Sequence, residues 1–287
     1  MAEPVAAGAL PESLPEGELA DLELSLLLEA ILRASGYDFS GYSQTVLKRR
    51  VAERLRAEGV ETISGLQERV LHDPGALPRF ALAMSIGTGR LFSDPEFFAV
   101  FRLRVVPLLR TYSFVRIWAP HCGRGEDAYS LATIMKEEGL LERTMIYATD
   151  PSELAVAAAR GGEFRLDSGD DPRAGFRATG ATAALADFCE FDGKALRFRE
   201  ELSRHIIFAR HSLVTDGSLN EFHVIIARHV LRLFNKTLQF RVHNLFLDSL
   251  IRLGFLCLGS NENLKLTPHE GVFRRFTESA ATYRRLR

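Results

Sequence analysis

Three cysteines, one tryptophan and a formal net charge of -1 in 287 residues leave several protein classes without their raw material. Cys122, Cys189 and Cys257 are odd in number and far apart, which supports neither a disulfide framework nor a zinc knuckle. Reduced thiols follow, with Cys122 and Cys257 expected to be buried in strands. A balance so close to neutral shows no basic excess for coating nucleic acid, and no apolar run approaches the roughly 20 residues of a membrane span. The opening MAEPVAAGALPESLPEGELA lacks the basic start and apolar core of a signal peptide. The expectation is a cytoplasmic protein with no membrane insertion and no nucleic-acid partner. No internal repeat occurs at solenoid or propeller periods.

The chain does have two rhythms, and they change near residue 90. Residues 1–16 hold three prolines and little that can pack, so they are expected to form a mobile tail. From about Asp21, Leu22, Leu24, Leu26, Leu27, Leu28, Ile31 and Leu32 form a stripe broad enough for a core helix ending at Gly36. A second helix is expected over about Tyr42 to Glu58, with Leu47, Val51 and Leu55 on one face and Lys48, Arg49, Ala52 and Arg56 on the other. Helices over Ile63 to Leu71 and Pro74 to Met84, the latter capped by Asp73-Pro74, complete an all-helical N-terminal domain over 17–90.

Residues 91–287 follow an α/β pattern. Strands at Val115 to Trp118 and Thr144 to Thr149 alternate with helices at Glu126 to Glu138 and Ser152 to Arg160, which predicts a parallel sheet covered on both faces. Asp167 to Ala183 is expected to be an exposed connection. Two strand-like runs about Asp192-Gly193, with a third at Ile206 to Arg210, predict a small antiparallel β insertion around 185–205. FHVIIA is then a buried strand, Lys236 to Leu253 a helix and FLCLG a strand before a charged tail.

Open doubly wound sheets bind ligands beyond the carboxyl ends of their strands. Three loops fall there. APHCGRGEDAYS offers Gly123 and Gly125 for close backbone approach, with Glu126 and Asp127 at a helix N-terminus. YATD places Asp150 just past the second strand, where a carboxylate can accept hydrogen bonds from ribose hydroxyls. ARHVLRLF places Arg228 after a third strand, where it could meet an anion. Each signal is weak alone; their order on one sheet edge gives them weight. His121, His211, His223 and His229 are expected near the ends of neighbouring strands, but their spacing offers no local ligand pair and no metal is assigned.

The phrases LFSDPEFF, IWAPHCGRGEDAYSLA, IYATD, FHVIIARHVLRLFNKTLQ and LCLGSNENL, in this order, resemble the CheR family of S-adenosylmethionine-dependent methyltransferases, which methylate glutamates of chemotaxis receptors. The resemblance spans about Leu22 to Phe276. It implies a Rossmann-like methyltransferase fold with an N-terminal all-helical domain and a small antiparallel β insertion. It also implies S-adenosylmethionine as cofactor, held by Gly123, Gly125, Glu126, Asp150, Ser212, Arg228 and His229, with Arg228 and Arg90 nearest the reacting centre. By the same resemblance, Lys48, Arg49 and Arg56 form the face that meets a chemoreceptor or other signalling protein. The short Asp192-Gly193 turn resembles that of members that dispense with a receptor tail peptide.

The departures fall at the ligand positions. Gly89 stands where the family has Thr, Ser93 where it has Arg, and Pro120-His121-Cys122 where it has Ala-Gly-Cys. Ser212 stands for Asn, His229 for Asn and Leu233 for Tyr. Each lost hydrogen bond removes on the order of 0.5 to 1.5 kcal/mol, against about 8 kcal/mol for a micromolar ligand. Weak or absent cofactor binding is therefore expected unless Arg90 or His229 restores lost contacts. Two functions remain: an active protein-glutamate methyltransferase, or a catalytically silent relative acting as a signalling or binding module.

Overall fold

The computed structural model describes residues 17–85, 90–219, 221–265, 267–277 and 279–287. The expected tail and Gly89 lie outside them. The chain divides into two compact units, Met1–Met84 and Ser85–Arg287.

Among the described residues the first unit contains four helices: α1 (Glu18–Ser35), α2 (Gln44–Glu58), α3 (Ile63–His72) and α4 (Ala76–Ser85). Gly36 and Gly59 end α1 and α2 in the left-handed region, at φ 76° and 66°, where a side chain would be strained. Helix α1 buries Leu24, Leu27 and Ile31, but Leu22 and Leu26 face outward, so its buried stripe is narrower than the leucine count implies. On α2, Ala52 is buried rather than on the basic face. Arg50 is buried too; its guanidinium donates to the carbonyls of Ala83 and Met84 and so satisfies the end of α4. Asp73 does not cap a helix at Pro74. Its Oδ1 accepts from the Gly75 N–H at 2.8 Å, forming an Asx turn before α4 begins at Ala76. Glu58 gathers Arg54, Arg69 and Arg79, and the hydrogen bond from Arg79 leads the causes holding its carboxyl below the ordinary range.

Among the described residues the second unit contains ten strands, β1 (Val115–Pro120), β2 (Thr144–Asp150), β3 (Glu163–Arg165), β4 (Cys189–Phe191), β5 (Ala195–Phe198), β6 (Ile206–Arg210), β7 (Phe222–Ala227), β8 (Leu250–Leu258), β9 (Phe273–Arg275) and β10 (Thr282–Arg285). Its helices are α5 (Pro95–Val100), α6 (Val106–Leu109), α7 (Glu126–Glu137), α8 (Glu153–Arg160), α9 (Pro172–Ala178), α10 (Glu200–Ser203) and α11 (Lys236–Ser249), with a π turn over Phe101–Val105 joining α5 to α6. The main sheet runs β6-β2-β1-β7-β8-β10-β9. Its first five strands are parallel, and the charged tail adds β10 and β9 as an antiparallel edge. Trp118 anchors the core from β1: its ring stacks on Phe222, meets Phe246 edge-on, and donates Nε1–H to Thr149 at 2.9 Å.

Several boundaries differ from the sequence pattern. Ile206–Arg210 joins the main sheet beside β2, and the small antiparallel sheet takes β3 as its third strand in the order β3-β5-β4. The presumed connection 167–183 contains α9, held by buried Phe176 against Phe92 at 5.0 Å. Helix α11 stops at Ser249, and Leu250 to Leu253 belong to β8, because an apolar run alone does not separate a helix end from a buried strand. Cys257 is buried in β8, but Cys122 is buried in the loop after β1.

Candidate functional site

Strand order reverses at β1, with β2 on one side and β7 on the other, so the loops after these three strands converge outside their carboxyl ends. The three sequence-predicted loops meet there. The path after β1 is tight. Pro120 is still in register with Thr149, His121 takes φ 54°, and the Cys122 N–H donates to the Thr149 carbonyl at 2.9 Å. At Gly125, φ 93°, a side chain would be strained, and a Cβ would crowd Ala159 at 3.2 Å and Phe208 at 3.4 Å.

Asp150 is where a ribose acid belongs, yet its side chain is turned to the protein. Oδ2 accepts from the Gly123 N–H at 3.0 Å, Oδ1 accepts from the Ser152 N–H at 2.9 Å, and the residue is 0% exposed. The glycine loop thus folds onto the acid expected at the ribose. Glu126 opens α7 and is buried, and that burial is the main cause pushing its carboxyl up to about 7.

Arg228, just after β7, has a side chain only 1% exposed. Its Nη1 donates to Asp127 at 3.2 Å; its Nη2 donates to the Ser93 carbonyl at 2.7 Å, the Ser93 hydroxyl at 3.0 Å and Asp94 at 3.2 Å. Phe97 and Phe98 lie under the guanidinium at 4.8 and 4.9 Å. His229 follows at φ 62°, with Nε2 3.1 Å from Asp94 Oδ2. Glu262, in the loop after β8, accepts from the backbone N–H groups of His229, Gly259 and Arg232 at 2.9, 2.8 and 3.1 Å, fixing the Arg228-His229 turn against the next loop.

The remaining expected residues have other partners. Arg90 pairs with Asp170 at 2.9 Å instead of supplying a charge near Ser93. Ser212 uses its hydroxyl on the N–H groups of Val214 and Thr215 and so closes its own turn. His223 is not at this edge: its Nδ1 accepts from the Arg116 N–H at the opposite end of β1. Asp94 and Glu262 were missed. Asp94 precedes a proline and reads as a helix cap, and Glu262 has no local motif.

The void bordered by Ala119, Pro120, His121, Glu126, Asp127 and Arg228 measures about 40 Å³. Of the polar residues expected to hold the cofactor, Asp150 and Arg228 face protein groups, while Glu126 borders the void.

A doubly wound sheet with helices on both faces, a ligand edge at β1 and a terminal antiparallel pair defines a Rossmann-like methyltransferase domain. Residues 88–280 match the CheR methyltransferase SAM binding domain, and residues 22–85 match its all-alpha domain. The chain is 37% identical to the Cher3 protein of Pseudomonas putida over 92% of its own length and 97% of that protein's. It is 27% identical to a chemotaxis protein methyltransferase of Listeria innocua, covering 86% of this chain and 92% of that one. The corresponding protein of Salmonella typhimurium is 23% identical over 85% of each chain. This chain therefore belongs to the CheR methyltransferase family, whose matched domain takes S-adenosylmethionine. A solved N-methyltransferase, NodS from Bradyrhizobium japonicum, shares 13% identity over 77% of this chain and 97% of its own, with a TM-score of 0.39, too distant to bear on the site.

Proposed function

We propose that this chain is a CheR-type protein whose methyl-donor cleft is held shut by its own residues. It binds S-adenosylmethionine weakly or not at all, and works as a cytoplasmic signalling module that meets chemoreceptor-like proteins. One observation carries the reading: Asp150 and Arg228, two of the three surviving polar residues of the expected donor site, are both engaged inside the protein. No helix among the described residues is long and apolar enough to cross a membrane. The partner face assigned to Lys48, Arg49 and Arg56 keeps Arg49 and Arg56 exposed, while Lys48 pairs with Asp21 at 2.6 Å. Opposite charge on a partner helix would speed encounter with such a face.

Titration calorimetry of the purified chain with S-adenosylmethionine and S-adenosylhomocysteine tests the reading. No heat of binding up to millimolar ligand is expected. Micromolar affinity for either would refute a closed cleft and return the chain to the methyl-transferring members of the family.

A further inference from the structure

Phe255 in β8 and Phe276, just past β9, meet edge-on with ring centroids 5.0 Å apart, and each carries an arginine. The Arg284 guanidinium lies 5.4 Å from the centre of Phe255, and that of Arg104 lies 6.0 Å from the centre of Phe276. Arg274 on β9 stands directly opposite Arg284 on β10, a like-charge pairing that costs a sheet stability. Elsewhere arginines meet carboxylates, as Arg102 meets Glu137 and Arg197 meets Glu163. Arg104, Arg274 and Arg284 have no ion pair among the described residues. Their apolar neighbours are exposed. Leu103, beside Arg104, is 73% exposed, and Leu253, whose carbonyl accepts from Arg284 Nε at 3.2 Å, is 41% exposed. Leu253 takes φ 65° where the pairing of β8 with β7 shifts register, a conformation that a bulky residue holds only under constraint. Leu286 is also exposed; its N–H continues the ladder to the Val272 carbonyl at 2.9 Å, which puts it on the same side of the strand as Arg284.

We propose that this face of the antiparallel edge docks on an anionic lipid bilayer. Arg104, Arg274 and Arg284 meet the headgroup phosphates, while Leu103, Leu253 and Leu286 enter the boundary of the acyl chains. Charge alone suits any polyanion. The exposed leucines set among the arginines favour a lipid surface, because there the apolar groups leave water as the cations reach phosphate. No helix enters the membrane in this arrangement. Leu253 lies near the start of β8, at the other end of that strand from the loop that holds Glu262, so docking here is independent of whether the cleft is open or shut.

The test is co-sedimentation of the full chain with vesicles of equimolar phosphatidylcholine and phosphatidylglycerol, beside vesicles of phosphatidylcholine alone. Binding should require the anionic lipid and weaken as salt is raised. Each arginine at an anionic surface contributes a factor of about five to affinity, so combining Arg104→Gln, Arg274→Gln and Arg284→Gln should lower it about a hundredfold. Leu253→Asn should weaken binding several-fold and leave the melting temperature no lower, since asparagine tolerates a left-handed backbone. Combining Arg33→Gln, Arg197→Gln and Arg204→Gln removes the same charge from surface positions already paired with glutamates, and should leave binding unchanged. Equal binding to both kinds of vesicle, an equal loss in the two triple variants, or wild-type affinity in the first of them with intact melting would overturn the proposal. Release from vesicles by millimolar inorganic phosphate would overturn it too, by assigning a free-anion site. So would tighter binding to duplex DNA or polyglutamate than to the mixed vesicles at the same salt, which would give the face to another polyanion.

Discussion

Two buried titratable groups should make the second unit deceptively indifferent to mild acid. Burial, helped by His269 and Lys236, brings His243 on α11 down from its ordinary 6.5 to about 4, and neither ring nitrogen has a hydrogen-bond partner among the described residues. The unfolded chain therefore takes up this proton below pH 6.5 while the folded chain refuses it until about 4. The stability tied to neutral His243 is whole above 6.5 and is lost as pH falls toward 4. Glu126 has the opposite sign. Burial raises it from 4.5 to about 7, so the folded chain holds a proton that the unfolded chain has released, and the associated stability is whole below 4.5 and lost as pH rises toward 7. At 1.36 kcal/mol per pKa unit each contribution amounts to about 3 kcal/mol, and between pH 4.5 and 6.5 they cancel. Urea unfolding read by the single tryptophan, Trp118 in β1, reports this unit. Subtracting wild type from Glu126→Gln should leave a difference that falls by about 3 kcal/mol from pH 7.5 to 4.5. The same subtraction for His243→Leu should rise by about 3 kcal/mol from pH 6.5 to 4. Either difference staying flat across its window would refute the burial argument for that group.

Other expectations rest on single contacts. Arg50→Met removes two charge-assisted bonds to the end of α4 and should cost about 2 kcal/mol. It should accelerate amide exchange within residues 44–85 and leave the β1 and β7 amides unchanged; equal acceleration in both units would count against it. Glu262→Ala strips the partner from three backbone N–H groups, with an expected loss of about 3 kcal/mol by Trp118 fluorescence. A loss below about 0.5 kcal/mol would mean that water replaces the carboxylate. Gly125→Ala forces a Cβ against Ala159 at φ 93° and should cost about 2 kcal/mol, measured as a shift of the urea midpoint without a change of slope.

The sequence pattern carried the order of elements well wherever periodicity and punctuation agreed. Helix α7 begins at Glu126 and α8 follows its Ser152 cap, whose hydroxyl accepts from the Ala155 N–H at 3.3 Å. It failed where two structures share one pattern. Ile206–Arg210 follows a hairpin and reads as its continuation, but its partner is β2, some sixty residues earlier, and nothing local records that pairing. Phe176 gave no sign that 172–178 would be a packed helix, because the surrounding glycines and aspartates dominate the reading.

The site was legible as a set of positions and illegible as a set of partners. Asp150, Gly123, Gly125, Glu126 and Arg228 do converge on one sheet edge, because strand order and loop length, both visible in the chain, bring them there. What each side chain then does depends on neighbours distant in sequence. Arg228 reaches back 135 residues to Ser93, and His229 the same distance to Asp94. The substitution of Ser93 for an arginine illustrates the consequence. Read as a lost contact, it only weakens a cofactor site. In the fold, the serine carbonyl and hydroxyl accept from Arg228, so the change also removes a cation that would compete for the same ground. A loop drawn onto Arg228 from one side and a turn fixed by Glu262 from the other leave Asp94 and His229 to absorb the mismatch in their backbones.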